Sequence, residues 1–210
     1  MASNVFGNPI TNATLEGMPE YIGKRIDKKD RAHVAMYKKN DQGKDVDART
    51  HVENLKKQYG IGVSSLCLVY NTTGDTLTYV ACIDWYGHIG TSPYPVQIAN
   101  GQWGVFLHVK TAGQATGSVA AVVYRGKNAV GSICDWMLAW RNPWNRHLFT
   151  NTVDTDIGPE NHFKAGVWRT VYNRLVKNGL CVRAQWNGCL STISTGCFTS
   201  PVVEAILTLE

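Results

Sequence analysis

No stretch of this chain approaches the roughly 20 consecutive apolar residues that a membrane-spanning helix requires. Its first residues, MASNVFGNPITNATLEGMPEY, lack the basic n-region and apolar core of a secretory leader. The expected location is therefore cytoplasmic, where the six cysteines (Cys67, Cys82, Cys134, Cys181, Cys189 and Cys197) would be reduced thiols. No two of them form a C-x-x-C pair and no histidine ladder stands beside them, so no metal site and no cofactor is expected. In that compartment the sequons Asn12-Ala-Thr14 and Asn71-Thr-Thr73 carry no meaning. Dense Lys/Arg clusters interleaved with aromatics are also missing. That argues against a specific nucleic-acid partner, and the net charge of +5 permits only weak attraction to anionic surfaces.

The motifs of catalysis are equally scarce. G-x-S-x-G, H-E-x-x-H, G-x-x-x-x-G-K-[ST] and G-x-G-x-x-G do not occur, and the six histidines are scattered without ligand spacing. Asp84 and His88 share one loop and could exchange a proton with a substrate. Loop Asp and His residues more often shape turns or sit in solvent, so a non-catalytic protein is expected, with no catalytic residue assigned.

What is present is strand. Residues 101–145 contain three apolar runs, Trp103–Val109, Ser118–Tyr124 and Ser132–Trp140, separated by the turn clusters TAGQATG and RGKNAVG. Their length, Val and aromatic content and Gly/Asn boundaries predict an antiparallel meander. Upstream, Ser64–Tyr70 and Thr76–Trp85 flank Asn71-Thr72-Thr73-Gly74-Asp75, which reads as a hairpin. Downstream, Leu180–Trp186, Leu190–Ser194 and Val202–Leu209 return to strand.

Residues 1–60 differ: they hold about half of the charged residues and neither Trp nor Cys. Ala32–Lys39 and Asp45–Tyr59 read as helices, the second with Ala48, Val52, Leu55 and Tyr59 on one narrow stripe. Asp45 and Asp47 near its start and Lys56 and Lys57 near its end suit the helix dipole. A late helix is expected at about 160–177 from Phe163, Val167, Val171 and Leu175, with Pro159 at its first position. The expected architecture is mainly β: a two-sheet antiparallel sandwich over 61–210, flanked by helices and preceded by a charged helical extension over 1–60.

Aromatics at strand ends, in loops and on the late helix are the candidate binding residues: Trp85, Tyr86, Trp140, Trp144, Trp168 and Tyr172, with His88 beside the first two. Such rings stack on sugar faces, hold quaternary ammonium groups or anchor at lipid interfaces. Core packing is the competing explanation, and it is preferred for Trp103, Trp136 and Trp186 within strand runs.

MPEYIGK, LCLVYNTTGDTLTYV, DWYGHIG, NGQWGVFLHVK, GSVAAVVYRGKN and DWMLAWRNPW together resemble the 23 kDa jasmonate-induced proteins of plants, over nearly the whole chain. That resemblance implies a stress or defence role. From residue 63 onward the chain is also similar, more distantly, to the actinoporins, whose sandwich is shared with fungal fruit-body lectins. This second resemblance implies an aromatic pocket for a phosphocholine-like headgroup. The family's two helix tyrosines would fall on Trp168 and Tyr172, its loop serine near His88 and the valine after its TG turn on Val119. The dense membrane cluster of the toxins is reduced here to Trp144 and Phe149 in NPWNRHLFTNTVDT, and the N-terminal segment is charged, so pore formation is not implied.

The expectation is a lectin-like, non-catalytic defence protein binding a glycan or small polar ligand, or a lipid headgroup. A membrane-active protein and an enzyme using the Asp84–His88 loop are the alternatives, and homo-oligomerisation stays open.

Overall fold

The computed structural model describes residues 4–210. Twelve strands form two sheets: β1 (Val5–Phe6), β2 (Ser64–Thr72), β3 (Leu77–Tyr86), β4 (His88–Ile89), β5 (Gln97–Ile98), β6 (Trp103–Val109), β7 (Ser118–Lys127), β8 (Ile133–Asn142), β9 (Thr152–Pro159), β10 (Cys181–Trp186), β11 (Cys189–Thr195) and β12 (Val202–Leu209). The helices are α1 (Asn12–Glu16), α2 (Lys28–Tyr37), α3 (Lys44–Tyr59) and α4 (Trp168–Leu175). One sheet runs β1-β6-β2-β12-β11-β10 with β4 also on β6, and the other runs β5-β3-β7-β8-β9. The mainly β, two-sheet architecture with flanking helices is as expected from the sequence. One pairing is parallel, that of β12 with β2.

Two connections differ from the sequence reading. β6 lies in one sheet and β7 and β8 in the other, so only the β7–β8 pair of the predicted meander holds, and β8 goes on to pair with β9. The Asn71–Asp75 segment is likewise no hairpin, because β2 and β3 belong to different sheets. Its polar side chains are buried and rebuild the missing ladder. Asn71 Nδ2 donates to the carbonyls of Asp75 (2.8 Å) and Ile98 (2.7 Å), and Asn71 Oδ1 accepts from Thr73 N (2.9 Å) and Thr73 Oγ1 (2.8 Å). A buried corner thus satisfies the groups that a hairpin would have paired.

Both faces of the central strands are covered, which explains why they read as unbroken apolar runs. In β7 and β8, Ala120, Val122, Tyr124, Trp136, Leu138 and Trp140 look into the space between the sheets. Val119, Ala121, Val123, Met137 and Ala139 look outward onto Val171 and Leu175 of α4. On the opposite sheet, Leu66, Leu68, Tyr70 and Trp103 meet the Ala48, Val52 and Leu55 stripe of α3.

The N-terminal segment is joined to the sheets by buried polar bonds as well as by that stripe. Lys44, only 6% exposed, donates from Nζ to Tyr70 Oη (3.1 Å) and to the Gly101 carbonyl (2.8 Å). β1 adds an edge strand to β6. The late helix is shorter than its periodicity predicts: Pro159 closes β9 instead of opening a helix, and a 3-10 turn at Ala165–Val167 leads into α4.

Candidate functional site

At the end of the sandwich that holds Ser64, Ser118 and Asn142, three loops meet: 110–118, 142–151 and 196–201. Asn142 Nδ2 ties two of them by donating to the carbonyls of Ser64 (2.8 Å) and Thr199 (2.9 Å). Asn151 Nδ2 donates to Gly196 O (2.8 Å) and Phe198 O (3.0 Å). Arg146 reaches Thr199 Oγ1 at 3.1 Å and also donates to the Cys197 carbonyl. These bonds fix loops that carry exposed apolar side chains: Trp144 at 52%, Leu148 at 72%, Phe149 at 48% and Phe198 at 69%.

A cleft of about 320 Å³ opens there, with Tyr86, Thr116, Arg141, Trp144, Phe149 and Tyr172 among its walls. Two bulges in β3 deliver Tyr86. The first, between Tyr79 and Ala81, reverses strand parity, so that Tyr79 packs between the sheets while Ile83 and Trp85 face α4. The second, between Asp84 and Tyr86, turns Tyr86 beside Val119 at the cleft. Glycine is required where the strands close the floor: Gly87 has φ +90°, and a Cβ on Gly117 would collide with the Asn142 carbonyl.

α4 supplies Tyr172. It is held on β9 by Arg174, whose Nε lies 2.6 Å from Asp154 Oδ2 and whose Nη1 lies 2.9 Å from Asp156 Oδ2. Trp85 packs against Tyr172 (ring centroids 5.3 Å apart) and against Trp168 (6.3 Å, edge to face). Burial, and then the neighbouring Tyr86, push the Tyr172 phenol above its ordinary pKa, while the charge of Arg141 pulls it back. The Arg141 guanidinium sits 5.0 Å from the Phe149 ring centre. Thr116 is half-buried, and its hydroxyl, itself covered, has no hydrogen-bond partner among the described residues. Rings, one cation and a free hydroxyl thus converge on one small volume.

Of the residues predicted from sequence, Tyr86, Trp144 and Tyr172 line this cleft. Trp85 and Trp168 stand behind Tyr172 as half-buried supports. His88 is exposed, with Nδ1 2.8 Å from the Ile89 carbonyl, and is not among the cleft walls. Trp140 must be corrected to a core residue: its strand parity points it between the sheets, where it is 1% exposed against Phe106 and donates from Nε1 to Ser118 Oγ at 3.3 Å. Arg141 and Thr116 were missed, since a lone Arg after a strand and a Thr in a turn carry no local signal.

The Asp84–His88 pair is not formed. Asp84 Oδ1 lies instead 3.2 Å from Nε2 of the buried His108, whose Nδ1 is 2.8 Å from Ser118 Oγ. The order Ser–His–Asp is that of a nucleophilic triad. Here, however, the Ser118 hydroxyl is fully buried and shared with Ser65 and Trp140, so no substrate atom can reach it. The triplet is an internal network beneath the cleft. Burial holds the His108 imidazole below its ordinary pKa against the pull of Asp84.

Among the described residues, no group of His, Cys, Asp and Glu is placed to hold a metal ion. No helix among the described residues is long and apolar enough to cross a membrane.

Comparison with known proteins gives a consistent result. The family described as Nakanori-like protein matches residues 6–210. A 23 kDa jasmonate-induced protein of Hordeum vulgare is 47% identical over 180 residues, covering 85% of this chain and 84% of that protein. A jasmonate-induced protein homolog of Atriplex canescens is 31% identical over 178 residues, covering 79% and 92% respectively. The crystal structure of the lipid binding protein Nakanori superposes with a TM-score of 0.88 at 30% identity, covering 97% of this chain and 99% of that one. The resemblance to jasmonate-induced proteins read from the sequence motifs is thereby borne out.

Proposed function

For this chain, which belongs to the Nakanori-like protein family, we propose a non-catalytic binding role at the surface of membranes, with a lipid headgroup held in the 320 Å³ cleft. The observation that carries this reading is the meeting of Tyr86, Trp144, Tyr172, Arg141 and the exposed Phe149 at one opening, with exposed Leu148 and Phe198 on the loops of the same end. Aromatic rings attract a quaternary ammonium by cation–π forces, and a guanidinium pairs with phosphate. A choline phosphate headgroup carries both charges. The apolar rim would enter the interface beside it, as amphipathic aromatic residues do. A solved relative is described as a lipid binding protein, which supports the same reading.

A sugar is the second reading, favoured by the unpaired Thr116 hydroxyl and by the Trp144 ring as a stacking face. The jasmonate-induced relatives support a setting in the stress response. Six free thiols suit a reducing compartment such as the cytoplasm.

The test is vesicle flotation with phosphatidylcholine, repeated with Tyr86→Ala, whose ring is 45% exposed and can be removed with little loss of stability. Loss of one cation–π partner is expected to weaken binding by about tenfold. Absence of vesicle binding, with capture on a glycan array that Tyr86→Ala abolishes, would transfer the site to the sugar reading. Failure of both would remove the site.

A further inference from the structure

On the other side of Trp144 a second cleft opens, of about 910 Å³, walled by Ile61, Lys110, Trp144, Arg146, His147 and Thr199. Trp144 and Asn145 belong to both clefts, so the indole is the partition between them. The chemistry of the second cleft is different. It has no phenol, and it gathers Lys110 and Arg146, neither of which has a carboxylate partner among the described residues. Their hydrogen bonds go to neutral oxygens: Lys110 Nζ to Gln114 O (2.8 Å) and Thr111 O (3.3 Å), and Arg146 to Thr199 Oγ1 and Cys197 O.

The sequence around the cleft repeats the asymmetry. From residue 85 to residue 153 the chain contains one acid, Asp135, and residues 161–203 contain none. Asp135 is bound to Arg125 at 2.7 Å, toward the opposite end of β8. The walls of the two clefts at the loop end therefore include Lys110, Arg141 and Arg146 and no acid. Ile61 stands fully exposed at the mouth of the second cleft. Cations interleaved with apolar side chains on one face are complementary to an anionic lipid surface, whereas a small inorganic anion would gain nothing from the rings.

We infer that this second cleft takes the phosphate of an anionic lipid, so that the protein docks on membranes presenting choline and anionic headgroups side by side, one in each cleft with Trp144 between them. The inference rests on the membrane reading above, and it adds a second lipid class and a separate site.

The experiment compares flotation on pure phosphatidylcholine vesicles with flotation on phosphatidylcholine containing phosphatidylglycerol. The wild type is expected to bind the mixed vesicles more tightly. Each cation near an anionic surface contributes about fivefold, so Lys110→Gln with Arg146→Gln should lower affinity for mixed vesicles about 25-fold. Binding to pure phosphatidylcholine should fall in the double variant by no more than it does in Arg146→Lys, which loses the same loop support. Arg146→Lys, which keeps the charge and loses the fork to Thr199 and Cys197, should retain most of the gain and so separates charge from loop support. Lys29→Gln with Lys127→Gln removes equal charge at the far end of the sandwich and should change little. The inference is overturned if phosphatidylglycerol adds nothing, or if the distant pair matters as much as the near pair. Binding to pure phosphatidylcholine would in either case still uphold the first cleft. Loss of that binding alone, with the gain on mixed vesicles intact, would count against the first cleft and uphold the second.

Discussion

Replacing Trp144 by Ala separates affinity from stability more cleanly than any other change at the loop end. The indole is 52% exposed and belongs to none of the four apolar clusters. A Trp side chain buries about 200 Å² when fully covered, which leaves about 100 Å² for a membrane interface to cover. At about 25 cal/mol per Å² this is ~2.5 kcal/mol, close to two orders of magnitude in affinity. The folded state should lose only about 1 kcal/mol, as for other half-exposed positions outside the core. The assay is vesicle binding of wild type, Trp144→Ala and Trp144→Phe, with urea unfolding of the same samples. Trp144→Phe should recover most of the affinity. Trp144 is also the exposed indole among the described residues, so brominated lipid should quench wild-type fluorescence and leave Trp144→Phe largely unquenched. An affinity for Trp144→Ala within about threefold of wild type, ~0.7 kcal/mol, would refute the partition argument. Equal quenching of the two proteins would refute it as well.

Two further outcomes follow from buried polar groups. Asn71→Ala removes four hydrogen bonds and leaves the Asp75 and Ile98 carbonyls short of a donor, which should cost about 3 kcal/mol or more. A urea midpoint lowered at unchanged slope would show it, and a loss below about 1 kcal/mol would refute it. His108, held below the ordinary imidazole value of 6.5 by burial, takes up its proton less readily when folded than when unfolded. The stability it contributes is complete above about pH 6.5 and declines as pH falls toward the folded pKa, and His51, shifted the same way by burial, adds to the decline. A melting temperature that falls between neutral and mildly acidic pH, with a shallower slope in His108→Gln, is expected. An identical slope would show that His108 is not the group responsible.

Much of the secondary structure was legible because its signals are local. The Ala48–Val52–Leu55 stripe and the acid-to-base gradient of α3 each needed one helix to interpret. The runs in β6, β7 and β8 were equally plain as strands. Their division between two sheets was not, since an apolar run looks the same whichever neighbour covers each face. The Asn71–Asp75 corner misled for a related reason: Asn, Thr and Gly serve a tight exposed turn and a buried crossing alike. Lys44 was invisible as an interior residue, because its partners Tyr70 and Gly101 are far away in sequence. At the cleft, ring chemistry singled out Tyr86, Trp144 and Tyr172 from sequence. The two bulges in β3 that set Trp85 on the α4 side and turn Tyr86 to the cleft are announced by no residue, and the inward turn of Trp140 depends on which face of β8 the other sheet covers.

The parallel pairing of β12 with β2 has a bearing on how the protein is made. β2 begins at Ser64 and holds a central place in its sheet, yet one of its two long neighbours is Val202–Leu209. During synthesis the ribosome must therefore deliver well over a hundred further residues before that seam can close. The smaller sheet, β5-β3-β7-β8-β9, draws all its strands from Leu77 to Pro159 and can assemble while the larger one stands open along β2. Such a nascent chain would expose the Leu66–Leu68 edge for seconds, long enough for a chaperone to matter more to yield than the stability of the finished protein.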